Sequence, residues 1–250
     1  MLDLDKTLAK FEGISLSELD TVDLSDRMDY KSIFPERLLP LFLEDLSPFY
    51  RVLDMDGRRS FQYESVYFDT PDYKSYRDHQ RKKLRRYKFR FRRYVACGDS
   101  FFEIKQRNGK GRNLKTRIPA NDNFARLTPA IKDKIQEQNL ADPDSLIQSL
   151  KVTVTRITLL NKQNTEKVTF DYNIQFKLNE QRKYLQNLVI AEAKQMRHDH
   201  NSDFFKIQRQ LGIYPVSFSK YCTGIAMLEN VKKNNFKQSL MRIQKIIEAS

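Results

Sequence analysis

The stretch from Leu84 to Val95 reads LRRYKFRFRRYV, and it leaves the chain few ways to fold. Successive side chains of an extended strand point to opposite faces. Arg86, Lys88, Arg90 and Arg92 therefore share one face, and Tyr87, Phe89 and Phe91 the other. The aromatic face needs a core to pack on. The cationic face is a row of like charges, which repel one another within a sheet. One use for such a row is to guard an exposed edge strand against aggregation. The other is to meet an anion, and the next two segments favour it. In SFFEIKQRN, Glu103, Lys105 and Arg107 lie opposite Phe102 and Ile104; after the turn-like GKGR, NLKTRIP sets Lys115 and Arg117 opposite Leu114, Thr116 and Ile118. Three successive antiparallel strands with cations on one face suit a flat exposed sheet, or a closed barrel with a polar interior and helices packed outside.

The charge surplus runs through the whole chain. Over 250 residues, 45 Lys and Arg stand against 32 Asp and Glu, a formal net charge of +13. Such a surplus implies an anionic partner: nucleic acid, an anionic membrane or a phosphorylated molecule. Nucleic acid is disfavoured, because the cations alternate with core aromatics inside strands and no basic tail or recognition helix is visible. With 40% hydrophobic and 12% aromatic residues the chain has a core and is not globally disordered. No apolar run approaches the ~18 residues of a membrane span, and MLDLDKTLAKFEG lacks the features of a signal peptide. A cytoplasmic protein is the expectation. Two cysteines, Cys97 and Cys222, exclude a disulfide framework, a four-thiolate zinc site and a CxxC pair.

Further strands are predicted in DRMDYKSIF, where Arg27, Asp29 and Lys31 share a face, and in FYRVLDMD, FQYESVYFDT, KVTVTRITLL, EKVTFDYNIQFKL and QNLVIAEAKQM, where Glu192 and Lys194 do. Helices are predicted in PERLLPLFLEDL, DTPDYKSYRDHQRK, TPAIKDKIQEQN, HNSDFFKIQRQLG and over the C-terminal segment from SFSKYCTG onward.

In order, RMDYK, SVYFDTPDY, YKFRFRRY, FFEIKQR, LKTR, VTRITL, KVTFDYNI, IAEAK and SKYCTG resemble the VTC domain, the polyphosphate polymerase module of the triphosphate tunnel metalloenzyme (CYTH-like) superfamily. The resemblance implies an α+β fold, an eight-stranded antiparallel barrel forming a tunnel with helices outside. The expected organisation is an appendage over 1–24, the tunnel domain over 25–230 and a C-terminal helix over 231–250 packed on it. Matched position by position, the resemblance implies phosphate contacts from Lys31, Lys88, Arg90, Arg92, Lys105, Lys115, Arg117, Arg156, Lys167, Ser219 and Lys220. It implies a divalent metal, Mn²⁺ or Mg²⁺, on Glu192, with Glu103, Asp29 and Asp171 as secondary metal ligands or counter-ions. Two positions depart from the pattern: Val154 stands where a tyrosine is usual, and Lys167 where an arginine is.

The activity implied is metal-dependent synthesis or extension of polyphosphate from a nucleoside triphosphate. A triphosphatase on the same scaffold and a non-catalytic polyphosphate or inositol-phosphate binding module are the alternatives. Any membrane association needs a membrane-protein partner. Several residues have plainer readings. Glu192 can neutralise Lys194 or a facing arginine, Asp29 can pair with Arg27 or Lys31, and Ser219, Asp69 and Thr70 can cap helices. His79 reads as a solvent-facing helix residue, His198 and His200 as loop residues around Asp199, and both cysteines as inert core thiols.

Overall fold

The computed structural model describes residues 4–22, 27–107, 113–197 and 199–249; the GKGR turn and His198 lie outside them. The strands are β1 (Glu12–Ile14), β2 (Met28–Pro35), β3 (Tyr50–Leu53), β4 (Phe61–Asp69), β5 (Arg86–Tyr94), β6 (Ser100–Arg107), β7 (Asn113–Pro119), β8 (Ile147–Asn161), β9 (Glu166–Leu178), β10 (Gln181–Leu185) and β11 (Leu188–Gln195). The helices are α1 (Asp5–Leu8), α2 (Leu16–Thr21), α3 (Leu39–Leu46), α4 (Lys74–Gln80), α5 (Pro129–Glu137), α6 (Asp203–Gln210), α7 (Lys220–Leu228) and α8 (Lys237–Glu248).

An eight-strand antiparallel path runs β2-β11-β9-β8-β4-β5-β6-β7. The N-terminal segment is joined to it, since β1 pairs in parallel with β3, which pairs with β8. No pairing between β2 and β7 is present among the described residues. Even so, the sheet is rolled. Strands β2 and β6 are first and seventh along the path, about 29 Å apart were the sheet flat at ~4.8 Å per strand. Yet Lys105 Nζ on β6 lies 3.3 Å from Asp29 Oδ2 on β2. Only curvature brings those strands together.

Register shows what lines the inner face. Directly paired residues share a face, so Lys31↔Glu192, Lys194↔Lys167, Arg156↔Asp171, Arg90↔Glu103 and Lys105↔Lys115 place all these charges on one side. The outer face buries Phe89, Phe91, Phe102 and Ile104 beneath α5, and Phe34, Phe170 and Val168 beneath α3 and α6.

Helices α7 and α8 sit differently. Tyr221, Cys222, Ile225, Ile243 and Ile246 cluster with Ile33, Ile190, Val152, Val154 and Phe176, the apolar end of the inner face. A bulge makes that end possible. Opposite Thr153–Thr155 of β8, β9 carries one extra residue, and Asn173 takes φ 50° there. Asp171 before the bulge and Ile174 after it thereby face inward together. Helix α7 lies close enough that a Cβ at Gly224 would stand 2.5 Å from Leu150 Cδ2.

Candidate anion-binding site

The polar part of the inner face divides into two walls. The first comes from β8, β9, β11 and β2. Arg156 donates from Nε and Nη2 to the two oxygens of Asp171 at 2.6 and 2.7 Å, a bidentate pair, and Lys220 at the start of α7 meets the same carboxylate. Lys31 Nζ lies 2.7 Å from Glu192 Oε1, and Lys194 Nζ 3.2 Å from Oε2. Asp29 takes Arg27 at 3.0 Å and Lys105 at 3.3 Å. Burial opposes ionisation of Asp171, but Arg156 and Lys220 outweigh it and hold the carboxyl far below its usual range. Burial likewise opposes ionisation of Glu192, and Lys194 and Lys31 keep it ionised.

The second wall comes from β5, β6 and β7. Glu103, almost fully buried, accepts from Arg90 Nε at 2.6 Å and lies 2.6 Å from Lys115 Nζ and 3.6 Å from Arg117 Nε. Lys88 Nζ donates to Ser219 Oγ at 2.9 Å, and that hydroxyl also caps α7 by accepting from Cys222 N. Burial depresses the pKa of Lys88 and of Arg92, the latter with help from neighbouring Arg90. Burial brings Lys115 down to about 8, Glu103 offsetting part of the shift. Arg92 Nε is buried with no hydrogen-bond partner among the described residues, and so is Thr169 Oγ1, opposite Glu192 on the inner face. Buried polar atoms are rarely left unpaired, so these two are open to a ligand bound on the face.

The residues singled out in the sequence thus share one face, with differences of detail. Lys167 is on that face, but its Nζ donates to Leu19 O of α2, which covers the end away from α7. Asp69 and Thr70 cap α4: Asp69 accepts from Thr70 N, Ser75 N and Tyr76 N, and Thr70 Oγ1 from Lys74 N. Asp69 also accepts from Tyr221 OH, tying the SKY segment to the start of α4. His79 is half-buried rather than solvent-facing; burial and then Lys88, Arg86 and Arg107 push its pKa down to about 2. Cys97 is exposed in the turn after β5, not a core thiol, whereas Cys222 is buried.

Sequence reading missed the aromatic lining. Tyr67 OH accepts from Arg90 Nη1 at 3.2 Å, and the Arg156 guanidinium lies 5.0 Å from the Tyr63 ring centroid. Tyr63 pairs directly with Val154, so an aromatic side chain from β4 stands beside the departure on β8. The alternation of FQYESVY held that signal, since Phe61, Tyr63, Ser65 and Tyr67 share a face.

Residues 26–229 match the family model of the VTC domain. The chain belongs to the VTC domain family. Among solved structures, a candidate adenylate cyclase from Bacillus halodurans is 14% identical with a TM-score of 0.53, over 78% of this chain and 95% of that one. The two share a fold. A conserved hypothetical protein from Pyrococcus furiosus is 12% identical with a TM-score of 0.41, over 76% and 98% of the two chains. A Pyrococcus horikoshii protein is 13% identical with a TM-score of 0.40, over 76% and 97%. No curated protein matches the chain. Among the described residues no helix is long and apolar enough to cross a membrane.

Proposed function

We propose that this chain is a cytoplasmic, metal-dependent phosphotransferase that makes or extends inorganic polyphosphate from a nucleoside triphosphate on the inner face of its sheet. One observation carries this reading: cations from β2, β5, β6, β7, β8, β9, β11 and α7 share a single rolled face, where their surplus and the unpaired Nε of Arg92 call for a polyanion. Lys88, Arg90, Arg92, Lys115 and Arg117 grip phosphate oxygens. Such contacts strengthen as water is excluded. Ser219 and the amides opening α7 offer donors to one more anionic oxygen. An acceptor phosphate is already anionic, so the transfer asks for no general base.

Glu192 and Asp29 are hard oxygen donors of the kind a divalent ion takes, and a metal there would displace the cations that now meet both oxygens of each. Glu192 and Asp29 lie on neighbouring strands, with Lys31 and Lys194 between them in register, and both offer only carboxylate oxygens. No group of three His, Cys, Asp or Glu able to hold a metal occurs among the described residues. Most of the shell would then come from phosphate oxygens and water, as Mg²⁺ and Mn²⁺ accept. A metal held there supplies charge neutralisation at the transferred phosphoryl group.

A second reading, a non-catalytic polyphosphate or inositol-phosphate binding module, is favoured by the lysines on both oxygens of Glu192. One assay separates the readings: incubate the purified protein with ATP and Mn²⁺ and resolve the products by size. A ladder of lengthening polyphosphate supports the polymerase, release of orthophosphate alone the hydrolase, and unchanged ATP the binding module.

A further inference from the structure

The cationic row on β5 does not stop at the rolled face. Beyond Lys88 the same face continues to Arg86, paired with Arg107 on β6, and the chain before Arg86 is the loop Arg81-Lys82-Lys83-Leu84-Arg85. Every residue of that loop is exposed. Lys83 is neutralised by Asp78 at 2.6 Å, but no carboxylate pairs with Arg81, Lys82 or Arg85 among the described residues. On the far side of the loop, a recess of about 210 Å³ opens between α4 and the segment after α7; Arg77, Arg81 and Lys232 line it, with Asp72 committed to Arg77. Tyr76 OH, donating to Lys232 O at 3.0 Å, fixes that segment against α4. Half-buried His79 on α4 feels Lys88, Arg86, Arg107 and Lys105 together and is neutral, so it adds no competing charge between face and loop.

A site made only for a short triphosphate has no use for this extension. Uncompensated exposed cations repel one another, and a linear polyanion lying along them relieves that repulsion by displacing counter-ions. We propose that the 81–85 loop and the recess at Arg77, Arg81 and Lys232 form an external track for a long polyphosphate chain leaving the rolled face at Lys88. The inference rests on the function proposed above and extends it: the ligand is a chain longer than the inner face holds.

The test compares inorganic tripolyphosphate with polyphosphate of about sixty units, titrated against the full chain and against an Arg81→Glu/Lys82→Glu/Arg85→Glu variant. These side chains are exposed and bear no ion pair among the described residues, so the variant should melt with wild type; an Arg81→Gln/Lys82→Gln/Arg85→Gln variant should show a smaller loss in the same direction. The expected result is long-chain affinity down tenfold or more, a shallower salt dependence by roughly two on the log–log slope, and unchanged tripolyphosphate affinity. Equal long-chain affinity in variant and wild type overturns the track. So does an equal loss for both ligands, which would make the loop a diffuse field. Anionic lipid headgroups offer the same chemistry: loss of binding to phosphatidylserine vesicles, with long-chain polyphosphate affinity retained, assigns the loop to a membrane and overturns the track. So does tighter binding of a single-stranded oligonucleotide of matched charge. Failure of wild type to bind tripolyphosphate overturns instead the function on which the track rests.

Discussion

The two walls of the inner face are built from the same residue types and balanced in opposite ways. On β8, β9, β11 and β2, Asp171, Glu192 and Asp29 each hold two cations, and Arg156 and Asp171 are nearly buried. On β5, β6 and β7, Glu103 is the one carboxylate these strands set among Lys88, Arg90, Arg92, Lys105, Lys115 and Arg117; Asp29 of the other wall meets Lys105, and Lys88 and Arg92, which pair with no carboxylate among the described residues, are only half-buried. A buried charge must be paired to be tolerated; a half-exposed one can wait for a ligand. The balanced wall therefore belongs to the free protein as much as to its chemistry. The surplus wall is complete only with an anion on it.

The sharpest way to break this contrast is Glu192→Gln. Shape is kept, and the charge that would hold a metal is lost. Metal-dependent turnover is expected to fall by three orders of magnitude or more, about 4 kcal/mol of transition-state stabilisation. Metal-free tripolyphosphate affinity should hold or rise, because a negative charge has left a cationic face. Full metal-dependent activity in the variant, measured beside an active wild type, would make Glu192 a structural counter-ion.

Asp171→Asn tests the balanced wall alone. It strands Arg156 and Lys220 together, and breaking a buried pair on one side costs about 3 kcal/mol or more. The melting temperature should drop by roughly 6–12 °C. Glu103→Gln should show a smaller drop, since Lys115 and Arg117 can turn to water. If the two drops were equal, the walls would not differ as described.

Tripolyphosphate at a hundredfold excess over Kd should stabilise the wild type by about 2.7 kcal/mol, read as a melting shift of several degrees. Monophosphate should do far less. Absence of any shift with tripolyphosphate at low salt in a folded sample would remove the anion site.

The smallest effect is protonic. With Lys115 lowered to about 8, the free surplus wall sheds a proton above pH 8 that an unfolded lysine keeps until about 10.5, and burial makes Lys88 release its proton earlier than an unfolded lysine too. The unfolded state binds more protons in that window, so these groups make the free protein more stable as pH rises through it. Bound phosphates return the protons. Calorimetry of tripolyphosphate binding in buffers of different ionisation heat should show proton uptake at pH 9 and none from these groups at pH 7. Equal uptake at both would contradict the depressed lysines.

Much of the surplus wall was legible because a period of two in β5 sorts cations from aromatics without knowledge of the rest. The balanced wall was harder to read. Asp171 and Ile174 share a face despite their odd spacing, and only the left-handed Asn173 reverses the alternation. Lys194 stood next to Glu192 in the sequence reading but was not assigned a place in the site, although it holds Glu192 Oε2. Tyr63 and Tyr67 read as ordinary strand aromatics, since nothing local shows that their neighbours across the sheet are Arg92 and Arg90. The hairpin strand β10 and the short β1 carry too little alternation to stand out.

Gly224 sets a distance rather than a contact. Its missing Cβ lets α7 seat against Leu150, and the same rigid turns fix how far the helix start reaches toward Asp171 and Lys88. One methyl group there would have to push the Leu150 side chain aside or lift the helix. Where the helix lifts, Lys220 and Ser219 move with it, so the calibration of the anion site leans on a side chain the protein does without.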